Sequence, residues 1–138
     1  MVDRGEVSTW LAAYEHAWRA PGTSTLAGLF TDDAGYRQGP YLEPVKGLAA
    51  IAAMWEADRE GPDEVFRMAS EVIAADGDTA VARVEVWYGR PVRQEYRDLW
   101  IMRFAGDGRC AWFEEWPFWP QQSRQATRPN PGPAGGGG

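Results

Sequence analysis

The stretch Arg83-Val84-Glu85-Val86-Trp87-Tyr88-Gly89-Arg90-Pro91-Val92-Arg93-Gln94-Glu95-Tyr96-Arg97-Asp98-Leu99-Trp100-Ile101-Met102-Arg103-Phe104 decides the fold class. On both sides of Gly89-Arg90-Pro91 the side chains alternate in twos, the period of a β-strand. A short break of this composition joins two such strands into an antiparallel hairpin. In the second strand Tyr96, Asp98, Trp100, Met102 and Phe104 share one face, and Arg97, Leu99, Ile101 and Arg103 share the other. The more aromatic face is expected to point inward. With Arg90-Pro91 as a two-residue tip, Arg83 stands across from Asp98, Glu85 from Tyr96 and Val81 from Trp100. A one-residue change in the loop puts Ala82 in place of Arg83.

The same period runs outward from this hairpin. Residues 64–75, 79–88, 92–105 and 109–119 read as four strands. Asp76-Gly77-Asp78, Gly89-Arg90-Pro91 and Gly106-Asp107-Gly108 separate them, so the sheet is an antiparallel meander. Before it the period is helical. Asp3 and Glu6 form a capping box ahead of Val7, Trp10, Leu11, Tyr14, Ala17 and Trp18, and Pro21-Gly22 ends that helix. Thr23 or Ser24 caps a short second helix that turns Leu26, Leu29 and Phe30 inward, and Thr31-Asp32-Asp33 then turns the chain. Residues 34–46 read as a short strand and a loop. A third helix follows Gly47 with Leu48, Ile51, Met54 and Trp55 on one stripe, and Gly61-Pro62 ends it. Helices first and strands last is the α+β pattern. Residues 1–120 are expected to be one domain and residues 121–138 a disordered Pro- and Gly-rich tail.

Composition narrows the function classes. A chain of 138 residues holds one domain, and 44% apolar with 25% charged residues is ordinary for a globular protein. Eight tryptophans are not ordinary; they fill a core and subunit interface, or line a cavity. The net charge of −6 comes with no basic stripe, which argues against nucleic acid and against anionic membranes. Asp3, Arg4 and Glu6 break any apolar run at the start, so neither a secretory leader nor a membrane span is expected. Cys110 is the only cysteine, which excludes an intrachain disulfide. It reads as a buried strand thiol in a cytoplasmic protein.

The candidate chemistry lies in acids set among aromatics, since a buried charge must be paired or protonated. Asp98 is one, with Arg83 as the expected partner; the plainer reading of that pair is a structural ion pair. In the last strand Cys110, Trp112, Glu114, Trp116 and Phe118 share a face by alternation, which makes Glu114 the second acid and turns Glu115 the other way. Trp116-Pro117-Phe118-Trp119-Pro120 is equally suited to a dimer contact. No zinc-type ligand spacing, phosphate loop or nucleotide fingerprint is present, so no metal or cofactor is expected.

Leu29-Phe30-Thr31-Asp32-Asp33-Ala34, Lys46-Gly47 before Ile51, Arg83 to Trp87 leading through Gly89 to Asp98, Met102-Arg103-Phe104 and Gly108-Arg109 resemble the nuclear transport factor 2-like superfamily, with its SnoaL-like cyclases and ketosteroid isomerases. The resemblance covers about residues 7–119. It implies three helices packed on a strongly curved, mainly antiparallel sheet, a cone-shaped half-barrel with an internal pocket. It also implies a homodimer packed through the outer sheet face, where Leu99, Ile101 and Phe113 are expected. Ketosteroid isomerases, a standard case of carboxylic acids tuned by their surroundings, use a Tyr and a protonated Asp as donors and a second Asp as base. By this resemblance Tyr14 takes the place of the donor Tyr. Counting from Gly89 puts Asp98 at the donor acid, and counting back from Met102-Arg103-Phe104 puts Trp100 there. The base position falls on Gln38, which cannot take a proton at neutral pH. Glu114, Glu85 and His16 are the other candidate bases, with His16 well round the helix from Tyr14 and expected to face solvent. Epoxide hydrolases of this superfamily suggest Asp98, Arg83 and Glu114 as a water-activating set.

Two functions follow. One is a cofactor-free enzyme doing isomerisation, cyclisation or hydration on a hydrophobic small molecule. Asp98 is then acid or base, Tyr14 a donor and Arg83 the group that sets the acid's pKa. Trp18, Gln38, Trp55, Trp87, Trp100, Met102, Trp112 and Trp116 shape the ligand site. The other is a non-catalytic ligand-binding or dimerisation module in which the same residues pack.

Overall fold

The computed structural model describes residues 1–59, 61 and 64–121. The expected tail beyond residue 121 and Pro62, expected to close the last helix, lie outside the described residues. Asp3 opens helix α1 (Arg4–Arg19) with the capping box: Glu6 N–H donates to Asp3 Oδ1 at 2.8 Å, and Asp3 N–H donates to Glu6 Oε1 at 3.2 Å. One stripe of the helix, Val7, Trp10, Leu11, Tyr14 and Ala17, is buried.

The second expected helix is a five-residue 3-10 turn, Ser24–Gly28, with Leu26 alone buried. Thr23 makes no capping hydrogen bond, and one anchored side chain does not sustain a longer helix. Phe30 belongs instead to strand β1 (Phe30–Arg37), and Thr31-Asp32-Asp33 runs along that strand rather than turning. Ahead of the meander the described residues therefore form two α-helices, not three. Strand β2 (Val45–Lys46) leads into helix α2 (Leu48–Asp58) through Gly47, whose φ of 93° suits glycine and whose N–H donates to Ala34 O at 2.8 Å. Ile51 and Trp55 bury one side of α2.

The meander forms close to its expected bounds as β3 (Phe66–Asp76), β4 (Thr79–Tyr88), β5 (Gln94–Phe104) and β6 (Cys110–Phe118). β1 joins β6 in parallel, giving one open sheet ordered β2-β1-β6-β5-β4-β3. Arg4 fastens α1 to the bulge of β3, its guanidinium donating to Val72 O at 2.7 Å and Ile73 O at 2.9 Å.

Two local features decide which side chains face inward. The β4–β5 loop spans Gly89 to Arg93, because Tyr88 pairs with Gln94. Val84 therefore stands opposite Asp98, and Arg83 stands opposite Leu99 on the outer face. The expected Arg83–Asp98 pairing is corrected by this one-residue shift. In β6 the register shifts between Arg103–Trp112 and Phe104–Cys110, which leaves Ala111 as an extra residue. Such a bulge reverses the alternation beyond it. Cys110 and Phe113 are both buried as a result, and Glu115 and Pro117 follow Phe113 inward. Phe113 is thus core and not part of an outer dimer face. Pro117 is tolerated because β1 pairs with β6 only as far as Glu114, so the missing N–H lies beyond the end of β1.

Candidate functional site

Where β1 ends, the sheet and the two helices enclose a cavity of about 280 Å³, near the lower edge of small-molecule sites. Helix α1 supplies Tyr14 and Trp18, and α2 supplies Trp55 and Asp58. Tyr36 and Gln38 come from the end of β1 and the residue after it; Tyr96, Asp98 and Trp100 come from β5. Glu115 and Pro117 come from β6, and Phe66, Met68, Val86 and Tyr88 close the wall from β3 and β4. Among the described residues none of the lining side chains is Lys, Arg or His.

Asp98 is only 6% exposed. Its Oδ2 accepts from Trp100 Nε1 at 3.2 Å, and its Oδ1 has no hydrogen-bond partner among the described residues. Burial raises its pKa from 3.8 to about 6, against a smaller lowering by the Trp100 hydrogen bond. Glu115 faces the same cavity from the neighbouring strand. Burial, followed by the charges of Asp98 and Asp58, raises its pKa from 4.5 to about 8. At neutral pH the two acids are held in different states: Asp98 is largely ionised and Glu115 largely protonated. Asp58 sits exposed at the mouth, where its Oδ2 accepts from Gln38 Nε2 at 2.8 Å.

Tyr14 and Tyr36 form a buried pair with hydroxyl oxygens 2.6 Å apart. Burial holds both pKa values well above the usual tyrosine range. One hydroxyl proton joins the two oxygens, which leaves the second free to donate elsewhere. Trp100 lies 4.6 Å and Trp55 5.0 Å from Tyr14, centroid to centroid, so the pair is fixed by packing. Burial likewise raises the Tyr88 pKa.

The expected site residues divide by face. Tyr14, Asp98, Trp18, Gln38, Trp55 and Trp100 all line the cavity. Asp98 and Trp100, the two alternatives for the acid position, are hydrogen-bonded to each other there. Arg83 does not reach the cavity; it is exposed and bonded to Glu71 Oε1 at 2.6 Å. Glu114 is on the outer face, where its carboxylate accepts from Trp112 Nε1 at 3.0 Å and Trp116 Nε1 at 2.8 Å. Those three residues form an outer strap, with the Trp112 ring lying against Gly35. Trp87 is also outside, under the Arg67 guanidinium at 4.4 Å. Met102 is fully buried beyond the cavity. Among the other candidate bases, His16 is exposed and Glu85 lies near Arg97 on the outer face.

Sequence reasoning missed Glu115, Tyr36, Asp58 and Tyr88 as site residues. Glu115 was hidden by the bulge at Ala111. Tyr36 lies in a Gly-rich stretch without a clear period. Asp58 carries a signal that could have been read, since it lies one helical turn below Trp55 (i, i+3) and so shares its side of α2.

An α+β domain with a curved open sheet and an acid-bearing aromatic cavity is thereby defined. The model of the SnoaL-like domain family matches residues 11–113, and the chain belongs to that family. Solved structures share the fold. A provisionally named ketosteroid isomerase from Kribbella flavida is 18% identical with a TM-score of 0.66, covering 100% of this chain and 92% of its own. A provisionally named polyketide cyclase from Sinorhizobium meliloti is 22% identical with a TM-score of 0.62, covering 83% and 99%. A ketosteroid isomerase-like protein from Erwinia carotovora is 19% identical with a TM-score of 0.60, covering 85% and 97%. No curated protein matches the sequence. Among the described residues no group of three or more His, Cys, Asp and Glu is placed to hold a metal ion, and no helix is long and apolar enough to cross a membrane.

Proposed function

We propose that this domain is a cofactor-free acid/base enzyme that moves a proton within a hydrophobic small molecule, by isomerisation, cyclisation or hydration. The observation that carries the reading is one cavity holding two carboxyl groups whose environments separate their pKa values, Asp98 near 6 and Glu115 near 8. Asp98 is the base. Glu115 is the acid, and the free hydroxyl proton of the Tyr14–Tyr36 pair donates to the substrate's polar end. Gln38 orients Asp58 and needs no basic function, because Asp98 supplies the base. Arg83 and Glu114 have no part in this scheme.

The test follows solvent deuterium entering a panel of neutral and amine-bearing carbon acids by NMR. Exchange is expected to be fastest near pH 7 and to fall below about 6 and above about 8, because it needs Asp98 ionised and Glu115 protonated. Asp98→Asn should lower it about 100-fold or more. Folded protein that binds members of the panel but exchanges none is a binding module instead. A homodimer is proposed through the outer face of β5 and β6, where Leu99 and Phe118 are exposed. Sedimentation of wild type against Leu99→Asp tests it.

A further inference from the structure

The cavity is unusual in the sign of its charge. Its lining carries three carboxyl groups, Asp58, Asp98 and Glu115, and no cationic side chain among the described residues. Arg59, beside the wall, is used elsewhere. Its guanidinium carbon lies 5.4 Å from the Trp55 ring centroid and 5.5 Å from that of Trp18. Its terminal nitrogens donate to Ala20 O at 2.9 Å and Ala17 O at 3.5 Å, one of them lies 3.8 Å from Glu56, and its Nε is buried without a partner among the described residues. Asp98 Oδ1 is buried and unpartnered, and the side chain faces the cavity. A buried carboxylate oxygen in that condition needs a donor or a positive charge from whatever enters. The walls offer π faces as well: Tyr88, Tyr96 and Trp100 flank the acids, and aromatic faces attract organic cations. An anionic ligand would meet Asp98 and Asp58 with only neutral donors against it.

We infer that this site selects an organic cation, a hydrophobic molecule carrying a protonated or quaternary nitrogen that seats between Asp98 and Glu115. The inference deepens the acid/base reading by naming the charge of the substrate, and it uses the same cavity. Titratable groups face the seat from every side: Tyr14 on α1, Tyr36 on β1, Asp58 on α2, Tyr88 on β4 and Tyr96 on β5, with Glu64 bonded to Trp18 Nε1 at 2.9 Å. The tyrosines whose pKa shifts are resolved, Tyr14, Tyr36 and Tyr88, are all raised, so they stay neutral through the working range. Among the groups whose shifts are resolved, Asp98 and Glu115 are the ones that change charge between pH 5.5 and 8.5.

The test titrates the intact protein with benzyltrimethylammonium, its neutral isostere neopentylbenzene, and phenylacetate, reading the fluorescence of Trp18, Trp55 and Trp100. At pH 8.5 the cation is expected to bind at least about tenfold tighter than the isostere, roughly 1.4 kcal/mol, and phenylacetate weakest. Lowering the pH to 5.5 should weaken the cation at least about tenfold and leave the isostere unchanged, as Glu115 and then Asp98 take up protons. Asp98→Asn, checked for folding by its melting curve, should shrink the preference, and Asp98→Asn with Glu115→Gln should remove it. Equal or tighter binding of the isostere or of phenylacetate overturns the inference, as does failure of all three to bind. Fluorescence reads binding alone, so preference for the cation without deuterium exchange in the carbon-acid panel keeps this inference and rejects the catalytic one.

Discussion

Glu115 and Asp98 sit one diagonal step apart on neighbouring strands, because Trp100 stands opposite Glu115 and Pro117 opposite Asp98. Both carboxyls consequently face one cavity, and Glu115 feels the charge of Asp98 as well as its own burial. The consequence for stability has a definite sign. The folded pKa of Glu115 is raised, so the native state binds its proton more tightly than the unfolded chain does. That contribution is complete below about pH 4.5 and is lost as pH rises through about 8. Glu115→Gln is always neutral and escapes the loss. It should be more stable than wild type at pH 9 by about 2–4 kcal/mol, less than the whole shift implies because water reaches the cavity. At pH 4 the two should match. Urea denaturation at both pH values measures this, and an equal difference at both would show that the carboxyl is not held in a desolvated place.

The Tyr14–Tyr36 pair predicts a coupling. Removing either hydroxyl leaves the other buried without that partner, whereas removing both leaves two apolar rings. Tyr14→Phe and Tyr36→Phe should each cost about 1–2 kcal/mol, and the double variant should cost less than the two added together. Additive losses in urea melts would mean that the 2.6 Å contact contributes nothing to stability.

Arg83 gives a control from the opposite face. It pairs with Glu71 on the exposed side of the sheet, where such a bridge is worth about 0–1 kcal/mol. Arg83→Ala should shift stability by no more than that and leave ligand binding and any deuterium exchange at wild-type values. A tenfold loss of either would mean that the guanidinium reaches Asp98 after all.

The meander and the first helix were legible in the sequence because their signals are local. Asp3 and Glu6 mark a cap, and the alternation of Tyr96 to Phe104 marks an inward face. Tyr14, Asp98, Trp18, Gln38, Trp55 and Trp100 line the cavity to which that alternation, helical spacing or resemblance assigned them. What stayed hidden depends on a residue more or fewer. The loop from Gly89 to Arg93 moves Arg83 outward, and the bulge at Ala111 exchanges Glu114 for Glu115. Neither Gly nor Pro marks that bulge. Phe30 was read as helical because apolar residues at positions 26, 29 and 30 fit a helix; pairing with β6 claims it for the sheet.

Gly35 tests the outer strap of β6. A Cβ built there lies 2.6 Å from two atoms of the Trp112 ring. That ring has little freedom to retreat: its Nε1 donates to Glu114, and the Arg37 guanidinium lies 5.2 Å from its centroid. Gly35→Ala should therefore destabilise the domain by about 1–3 kcal/mol, the usual range for forced overpacking. The loss comes from displacing Trp112, so Trp112→Leu in the same chain should recover part of it, and the two changes together should cost less than their sum. Gly35 also pairs with Lys46 on one side and Trp112 on the other, so strain there reaches the end of β1, where Tyr36 and Gln38 enter the cavity. Gly35→Ala should then weaken ligand binding as well as stability, with Trp112→Leu restoring both. Stability lost with binding intact would separate the outer strap from the site.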